Sequence, residues 1–278
     1  MEMLIPVSNE LSLTIGNKPN DRISYPTSRL AKGLVLNRRG LNLAEEAVGF
    51  GVPLLMRGLQ ALFPGEVKLD LLHGSPTWKL TAEYFVNRVE LLGGPDKRIL
   101  KGKLIYAAKN YLSALRMRFP SARDPLMALS SGLRRLFGWE TTFEQADFSS
   151  QVKMTYLLDE RTGLLSIEAD LSCLPSDSVT EVIIMNEQGA HYFDEYRDSS
   201  GIQLSGKDIG CWDEVTAEEA GFASATHRAA FTLPRVPGAR LFRGRELVDS
   251  RLAWAGFGYS FPPTTRKFSY TVKIETLS

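Results

Sequence analysis

Only His73, His191 and His227 among the side chains of this sequence titrate near neutral pH without help from their surroundings. His191 stands in MNEQGAHYFDEY, residues 185–196, among aromatic rings and carboxylates. An imidazole in a cleft can give or take a proton. The same position also suits a surface or core histidine with a satisfied hydrogen bond. In an extended strand His191, Phe193 and Glu195 share one side, and Tyr192, Asp194 and Tyr196 the other. His191 and Glu195 are then about 13 Å apart, so an acid–base partner for His191 must come from another strand. His73 opens HGSPTW. Gly74 lets a ligand or a backbone approach closely, and Trp78 can stack on the apolar face of a sugar ring. A β-turn leading into a core tryptophan reads equally well there. His227, with no carboxylate close by in sequence, reads as structural.

The carboxylates to watch are Glu187, Asp213, Glu214 and Glu246. Trp212-Asp213-Glu214 sets an aromatic ring beside two acids, which suits sugar hydroxyls and also suits a loop anchored by one tryptophan. Paired carboxylates support glycoside cleavage only at the right separation in space. The three histidines form no H-x-H, HExxH or His/Cys cluster. Asp194, Glu195 and Asp198 could offer oxygens to calcium, but without an EF-hand pattern. Neither a metal nor a cofactor is therefore expected. GFGVP, residues 49–53, is neither a GxGxxG nor a P-loop pattern and reads as a bulged or tight strand turn. No G-x-S-x-G elbow is present and neither cysteine lies in a nucleophile motif.

The elements that must position these residues read mainly as strands. LSLTIG alternates, GLVLNRRGLNL turns at Arg39-Gly40, and Pro53, Gly58 and Pro64-Gly65 favour strands across VPLLMRGLQALF. In WKLTAEYFV, Trp78, Leu80, Ala82, Tyr84 and Val86 share one face. Helical spacing enters at 102–119, through Leu104, Ala108, Tyr111 and Leu115, and a second short helix is expected over 124–137. From 150 onward strands resume, with a hairpin around Asp159–Gly163 and further strands in SVTEVIIMNE, AHYFDEY, THRAAFTL and ELVDSRLAWAGFGYSF. KFSYTVKIETL alternates cleanly, as a half-buried antiparallel strand does. The expected architecture is mainly β: one large antiparallel β-supersandwich domain over 1–278, with a helical insertion at about 97–140.

Several of these pieces, taken in order, resemble the aldose 1-epimerases and their relatives in the galactose mutarotase-like supersandwich group. His73-Gly74…Trp78 is similar to that group's HG…W segment. Gly189-Ala190-His191-Tyr192-Phe193 is similar to its HPYF segment, and FPPTTRKFSYTVKIE to its closing turn and strand. The resemblance implies a sugar cleft on one face of the sandwich. His191 would be the general acid, Glu246 the best-placed catalytic carboxylate, and His73 and Trp78 would hold the substrate. Trp212 and Asp213 join them as candidate sugar-binding residues.

Composition sets the outer limits. The 278 residues are 44% hydrophobic and 23% charged, with a net charge of +1, so attraction of the whole molecule to nucleic acid or to an anionic membrane is not expected. No apolar run approaches transmembrane length and the N-terminus is unlike a signal peptide, which makes a cytoplasmic location the default expectation. Cys173 and Cys211 are expected to be reduced and buried, a single pairing remaining open. Charge is segregated: residues 97–135 hold ten Lys or Arg and one acid, and residues 181–220 hold ten Asp or Glu and two bases. Both blocks suit solvated faces. A small-molecule sugar is the expected partner; the oligomeric state is not legible. Two rivals stand beside this reading. One is a non-enzymatic β-sandwich that holds a partner through its charged surfaces. The other is a lipocalin-like double barrel around an apolar ligand, lined by residues such as Phe50, Leu55 and Phe85.

Overall fold

The computed structural model describes residues 3–8, 10–15, 30–45, 47–58, 60–72, 76–93, 140–175, 177–248 and 252–277. The helical insertion expected at about 97–140 falls outside them, except for Glu140, which opens a strand.

A small antiparallel sheet comes first: β1 (Met3–Pro6), β2 (Leu11–Ile15), β3 (Val35–Arg38) and β4 (Leu41–Asn42). Arg39 and Gly40, both left-handed, make the β3–β4 turn. β5 (Gly49–Arg57), β6 (Gln60–Leu72), β7 (Thr77–Gly93), β8 (Glu140–Asp159) and β9 (Leu164–Asp170) then form an antiparallel meander. β10 (Glu181–Gln188), β11 (Glu195–Asp198), β12 (Gln203–Ser205), β13 (Cys211–Val215), β14 (Glu219–Ser224), β15 (Ala229–Pro234), β16 (Arg240–Val248), β17 (Leu252–Phe261) and β18 (Lys267–Thr276) complete the chain.

Fourteen strands pair in the order β12-β11-β14-β15-β18-β9-β8-β7-β6-β5-β10-β17-β16-β13. A short 3₁₀ turn, Gly206–Ile209, leads from β12 to β13, so a few residues join the two ends of the ladder. Strands far apart in that order meet face to face. Phe50 of β5 packs edge-on against Phe231 of β15 at 5.2 Å, and Tyr259 of β17 lies 4.6 Å from Tyr270 of β18. This is sandwich packing, and period-2 alternation supplies it. In β18 Phe268, Tyr270, Val272 and Ile274 are buried, as the sequence pattern requires. In β7 Leu80, Ala82, Tyr84 and Val86 are buried and Trp78 is half-buried. Each large side chain so buried stabilises the fold by about 1.5–3 kcal/mol.

GFGVP forms the expected bulge. The β5–β10 register slips between Met185↔Val52 and Asn186↔Phe50, leaving Gly51 as the extra residue. Gly51 has φ +74°, and a β-carbon there would lie 2.5 Å from Tyr156 Cε1. Only glycine fits.

Three expectations are corrected. AHYFDEY is not one strand: β10 ends at Gln188 and β11 begins at Glu195. The Gly189 carbonyl accepts N–H bonds from Tyr192 (3.1 Å) and Phe193 (3.0 Å), closing a tight turn that drives Phe193 into the core against Phe231. His191, Phe193 and Glu195 therefore do not share a strand face. The cysteines form no disulfide and are not both buried: Cys173 is exposed, because the turn that carries it points Leu171 and Leu174 inward instead. Phe50, Leu55 and Phe85 do not line one cavity. Phe50 and Leu55 belong to the packed core, while Phe85 lies on the other face of β7 beneath the Lys68 ammonium. Among the described residues no helix is long and apolar enough to cross a membrane.

Candidate functional site

The site begins with the two faces of β10. Asn186 and Gln188 point to the core. The Asn186 carbonyl oxygen accepts bonds from Gly51 N–H (3.1 Å) and the Tyr270 hydroxyl (2.7 Å). Gln188 accepts from Leu36 N–H at 3.0 Å, tying the small sheet to β10. Side chains alternate, so Glu187 between them points to the opposite face.

Register places Glu187 in an unusual row. It pairs with Gly49 of β5 on one side and with Gly256 of β17 on the other, and Gly256 pairs with Gly244 of β16. Across four strands Glu187 is the one position in that row with a side chain. Two residues further along β16, on the same face, Glu246 pairs with Trp254, whose indole N–H donates to the Glu246 carboxylate at 3.3 Å.

The glycines of this face are occupied by aromatic rings from neighbouring strands. A β-carbon at Gly244 would lie 2.6 Å from Trp254 Cη2, and one at Gly258 would collide with the Trp212 ring. Trp212, a left-handed residue at a bulge in β13, stacks on Phe242 at 5.6 Å with planes 3° apart. It meets Trp254 edge-on at 6.3 Å. Both tryptophans are half-buried. At the outer edge the Arg240 guanidinium lies over Phe242 and makes two bonds to Glu214, at 3.2 and 2.8 Å.

Glu187 is 6% exposed. Burial pushes its carboxyl up to about 7, and the charge of Glu246 adds to the rise. A backbone bond from Val48 N–H, long at 3.5 Å, and the Lys32 ammonium pull the other way. Lys32 also donates to the Glu45 carbonyl at 2.9 Å. The Glu45 carboxylate in turn meets His191 Nδ1 at 2.8 Å.

The structure separates several residues that the sequence grouped. Trp212 and Glu246 share the face described above. Asp213 does not: it pairs with Arg243, whose guanidinium points the other way, over Tyr196 and onto the Ile209 carbonyl. His191 sits on the turn after β10, 44% exposed at its side chain and held by Glu45. Trp78 packs at the rim of the core with its indole N–H on Glu160. It lies eleven residues along β7 from Val89, the point where the ladder passes through Leu62 of β6 to Leu55 of β5. That is about 35 Å of strand. His73 lies outside the described residues. His227 packs edge-on against Tyr192 at 4.7 Å.

Sequence reasoning missed Trp254, Phe242, Lys32 and Glu45. One signal was available for Trp254: WAGFGYS places glycines at alternate positions of a strand, which marks a face where something large lies close to the backbone. Glu45 and Lys32 lie in irregular chain and left no pattern. Among the described residues no group of three or more His, Cys, Asp or Glu is placed to hold a metal ion.

No protein-family model matches the sequence, and no curated protein matches it. Solved structures do. The alpha-N-acetylgalactosaminidase NagBb from Bifidobacterium bifidum, in complex with GalNAc, is 9% identical with a TM-score of 0.50, over 99% of this chain and 36% of that one. An alpha-mannosidase from Enterococcus faecalis V583 is 8% identical with a TM-score of 0.49, over 99% and 29%. A galactose mutarotase-like protein from Clostridium acetobutylicum is 8% identical with a TM-score of 0.32, over 77% and 67%. This chain thus spans about a third of the length of the two glycosidase chains. At such identity the likeness to the alpha-N-acetylgalactosaminidase is one of fold alone.

Proposed function

We propose that this chain is a carbohydrate-binding or carbohydrate-active protein, and that its sugar site is the face carrying Trp212, Trp254, Glu187 and Glu246. The observation that carries the reading is the pair of half-buried tryptophans laid over Gly258 and Gly244 beside two glutamates. Flat aromatic surface next to carboxylate acceptors suits a ring with one apolar face and a rim of hydroxyls. The likeness of fold to glycosidases and to a mutarotase-like protein agrees with that class of ligand. The catalytic form of the proposal is interconversion of aldose anomers, with Glu246 taking the proton of the anomeric hydroxyl. Trp212, Glu246 and Glu187, one of the carboxylates to watch, remain from the sequence-based candidates, and Trp254 joins them. His191, paired with Glu45, lies on the turn after β10 and is not assigned to this face.

The test combines binding and turnover. Calorimetric titration with several aldoses, and nuclear magnetic resonance of α/β exchange, are run on the wild type, Trp254→Ala and Glu246→Gln. Saturable binding that Trp254→Ala weakens at least tenfold supports the site. Exchange above the buffer rate that Glu246→Gln abolishes supports the reaction. A chain that neither binds nor interconverts any aldose ends the proposal.

A further inference from the structure

The sequence offers His191 as the proton donor of such a site. The geometry points to another group: we propose that Glu187 donates the proton to the ring oxygen of the sugar, opposite Glu246. This inference rests on the carbohydrate reading above and assigns a role that the reading leaves open.

Three observations converge on Glu187. The first is placement. Glu187 and Glu246 project from the same sheet face, two strands apart laterally and two residues apart along the strands. With strands about 4.8 Å apart and about 3.4 Å per residue, their backbones are about 12 Å apart. Both side chains rise from the same face, and the charge of Glu246 is felt at Glu187. The second is the row of glycines. Gly49 and Gly256 flank Glu187 laterally and Gly244 lies beyond, so the row itself adds no side chain beside the carboxyl, and the ring laid over Gly244 is that of Trp254, which donates to Glu246. The third is the contrast with His191. Its Nδ1 is held by Glu45 on a turn outside β10, and its side chain is 44% exposed, whereas Glu187 is 6% exposed. An imidazole there lacks the apolar enclosure that Glu187 has.

Electrostatics agrees with the geometry. The groups that face Glu187 are Val48 N–H and Lys32, from the chain around β3 and β5, and Glu246 from β16. Lys32 is shared with Glu45, and through it with His191. Burial outweighs the two stabilising contacts, so the carboxyl holds its proton up to about pH 7. A carboxyl that keeps its proton in this way is suited to act as a general acid.

The step balances without a cofactor. Glu187 gives its proton to the ring oxygen as the bond from that oxygen to the anomeric carbon breaks, the bonding pair leaving with the oxygen. Glu246 takes the proton of the anomeric hydroxyl, and the carbonyl of the open aldose forms. Rotation about the bond between the anomeric carbon and its neighbour presents the other carbonyl face. Closure returns both protons to their starting groups.

The experiment measures α/β exchange for wild type, Glu187→Gln and His191→Gln from pH 5 to 9, with aldose binding measured alongside. The expected result is a wild-type rate that falls as pH rises through about 7. Glu187→Gln is expected to lose about 100-fold or more with binding retained, and His191→Gln to stay within a few-fold. Three outcomes overturn the assignment: a Glu187→Gln rate like wild type, a His191→Gln loss as large as that of Glu187→Gln, or a wild-type rate flat across this range. Sugar binding without exchange also overturns it while leaving carbohydrate recognition standing. Neither binding nor exchange removes both.

Discussion

β10 buries polar side chains on both of its faces, and the two faces treat them differently. On the core side Asn186 and Gln188 are fully enclosed and well satisfied. Gly51 N–H and the Tyr270 hydroxyl reach the Asn186 oxygen, while Tyr156 donates to the Gly51 carbonyl at 2.7 Å and shares a hydroxyl contact with Tyr84 at 2.9 Å. Burial pushes the Tyr84, Tyr156 and Tyr270 hydroxyls above their ordinary range, so they stay neutral donors. On the other side Glu187 is buried with one long backbone bond, the Lys32 ammonium pulling one way and a second acid the other. A satisfied network fixes a unique packing, whereas an ionisable group in poor surroundings is held there at a cost to stability. The first face is architecture, and the second carries the proposed site.

The comparison breaks first at the bulge. Gly51→Ala forces a left-handed residue to carry a β-carbon into the ring of Tyr156, which its hydrogen bonds hold in place. The expected loss is about 3–4 kcal/mol, combining backbone strain with overpacking. Asn186→Leu tests the same face by leaving Gly51 N–H and the Tyr270 hydroxyl without their acceptor, at about 2–4 kcal/mol. Urea unfolding at one pH measures both. Losses under 1 kcal/mol would mean that the core-side network contributes little and that the contrast between the faces is not real.

Glu187 sharpens the contrast through pH. Its carboxyl rises from an ordinary 4.5 to about 7 on folding. Between those values the folded chain holds a proton that the unfolded chain has released. Stability therefore falls as pH rises across that window, reaching about 3 kcal/mol of lost stability above pH 7. Glu187→Gln removes the titration while keeping shape and an acceptor for Val48 N–H. The variant is expected to unfold at higher urea than wild type at pH 8 and to match it near pH 5. Parallel wild-type and variant curves across that range would show that burial of this carboxyl is not costly.

The same alternation explains how much of this was legible beforehand. Strands whose period-2 pattern is strong, such as KFSYTVKIET, declare which face is buried, and the bulge at GFGVP announces itself by its glycines. AHYFDEY misleads because its composition is strand-like while Gly189 allows a turn; Phe193 buried against Phe231 decides the matter, and that contact joins residues 38 apart. The site is partly legible for a similar reason. Glu246 and Trp212 stand out by type. The row linking Glu187 to Gly49, Gly256 and Gly244 exists only once the register of four strands is known. Trp212 and Asp213 look like one unit in the sequence, yet a bulge at that point turns them to different faces.

The smallest effect belongs to the rim of the site, where Glu214 and Arg240 form a bidentate pair beside Phe242. The pair looks strong by geometry, and the guanidinium holds the Glu214 carboxyl below its ordinary range. Both side chains are nonetheless largely in water, 45% and 61% exposed. Solvent and salt screen the attraction, and ordering two long side chains offsets part of what remains. Glu214→Gln is therefore expected to cost about 0.5 kcal/mol at low salt and less at high salt. A loss above 2 kcal/mol, persisting at 1 M salt, would place this pair with the buried network instead. The Arg240 guanidinium over Phe242 would then be a fixed wall of the tryptophan face rather than a mobile edge.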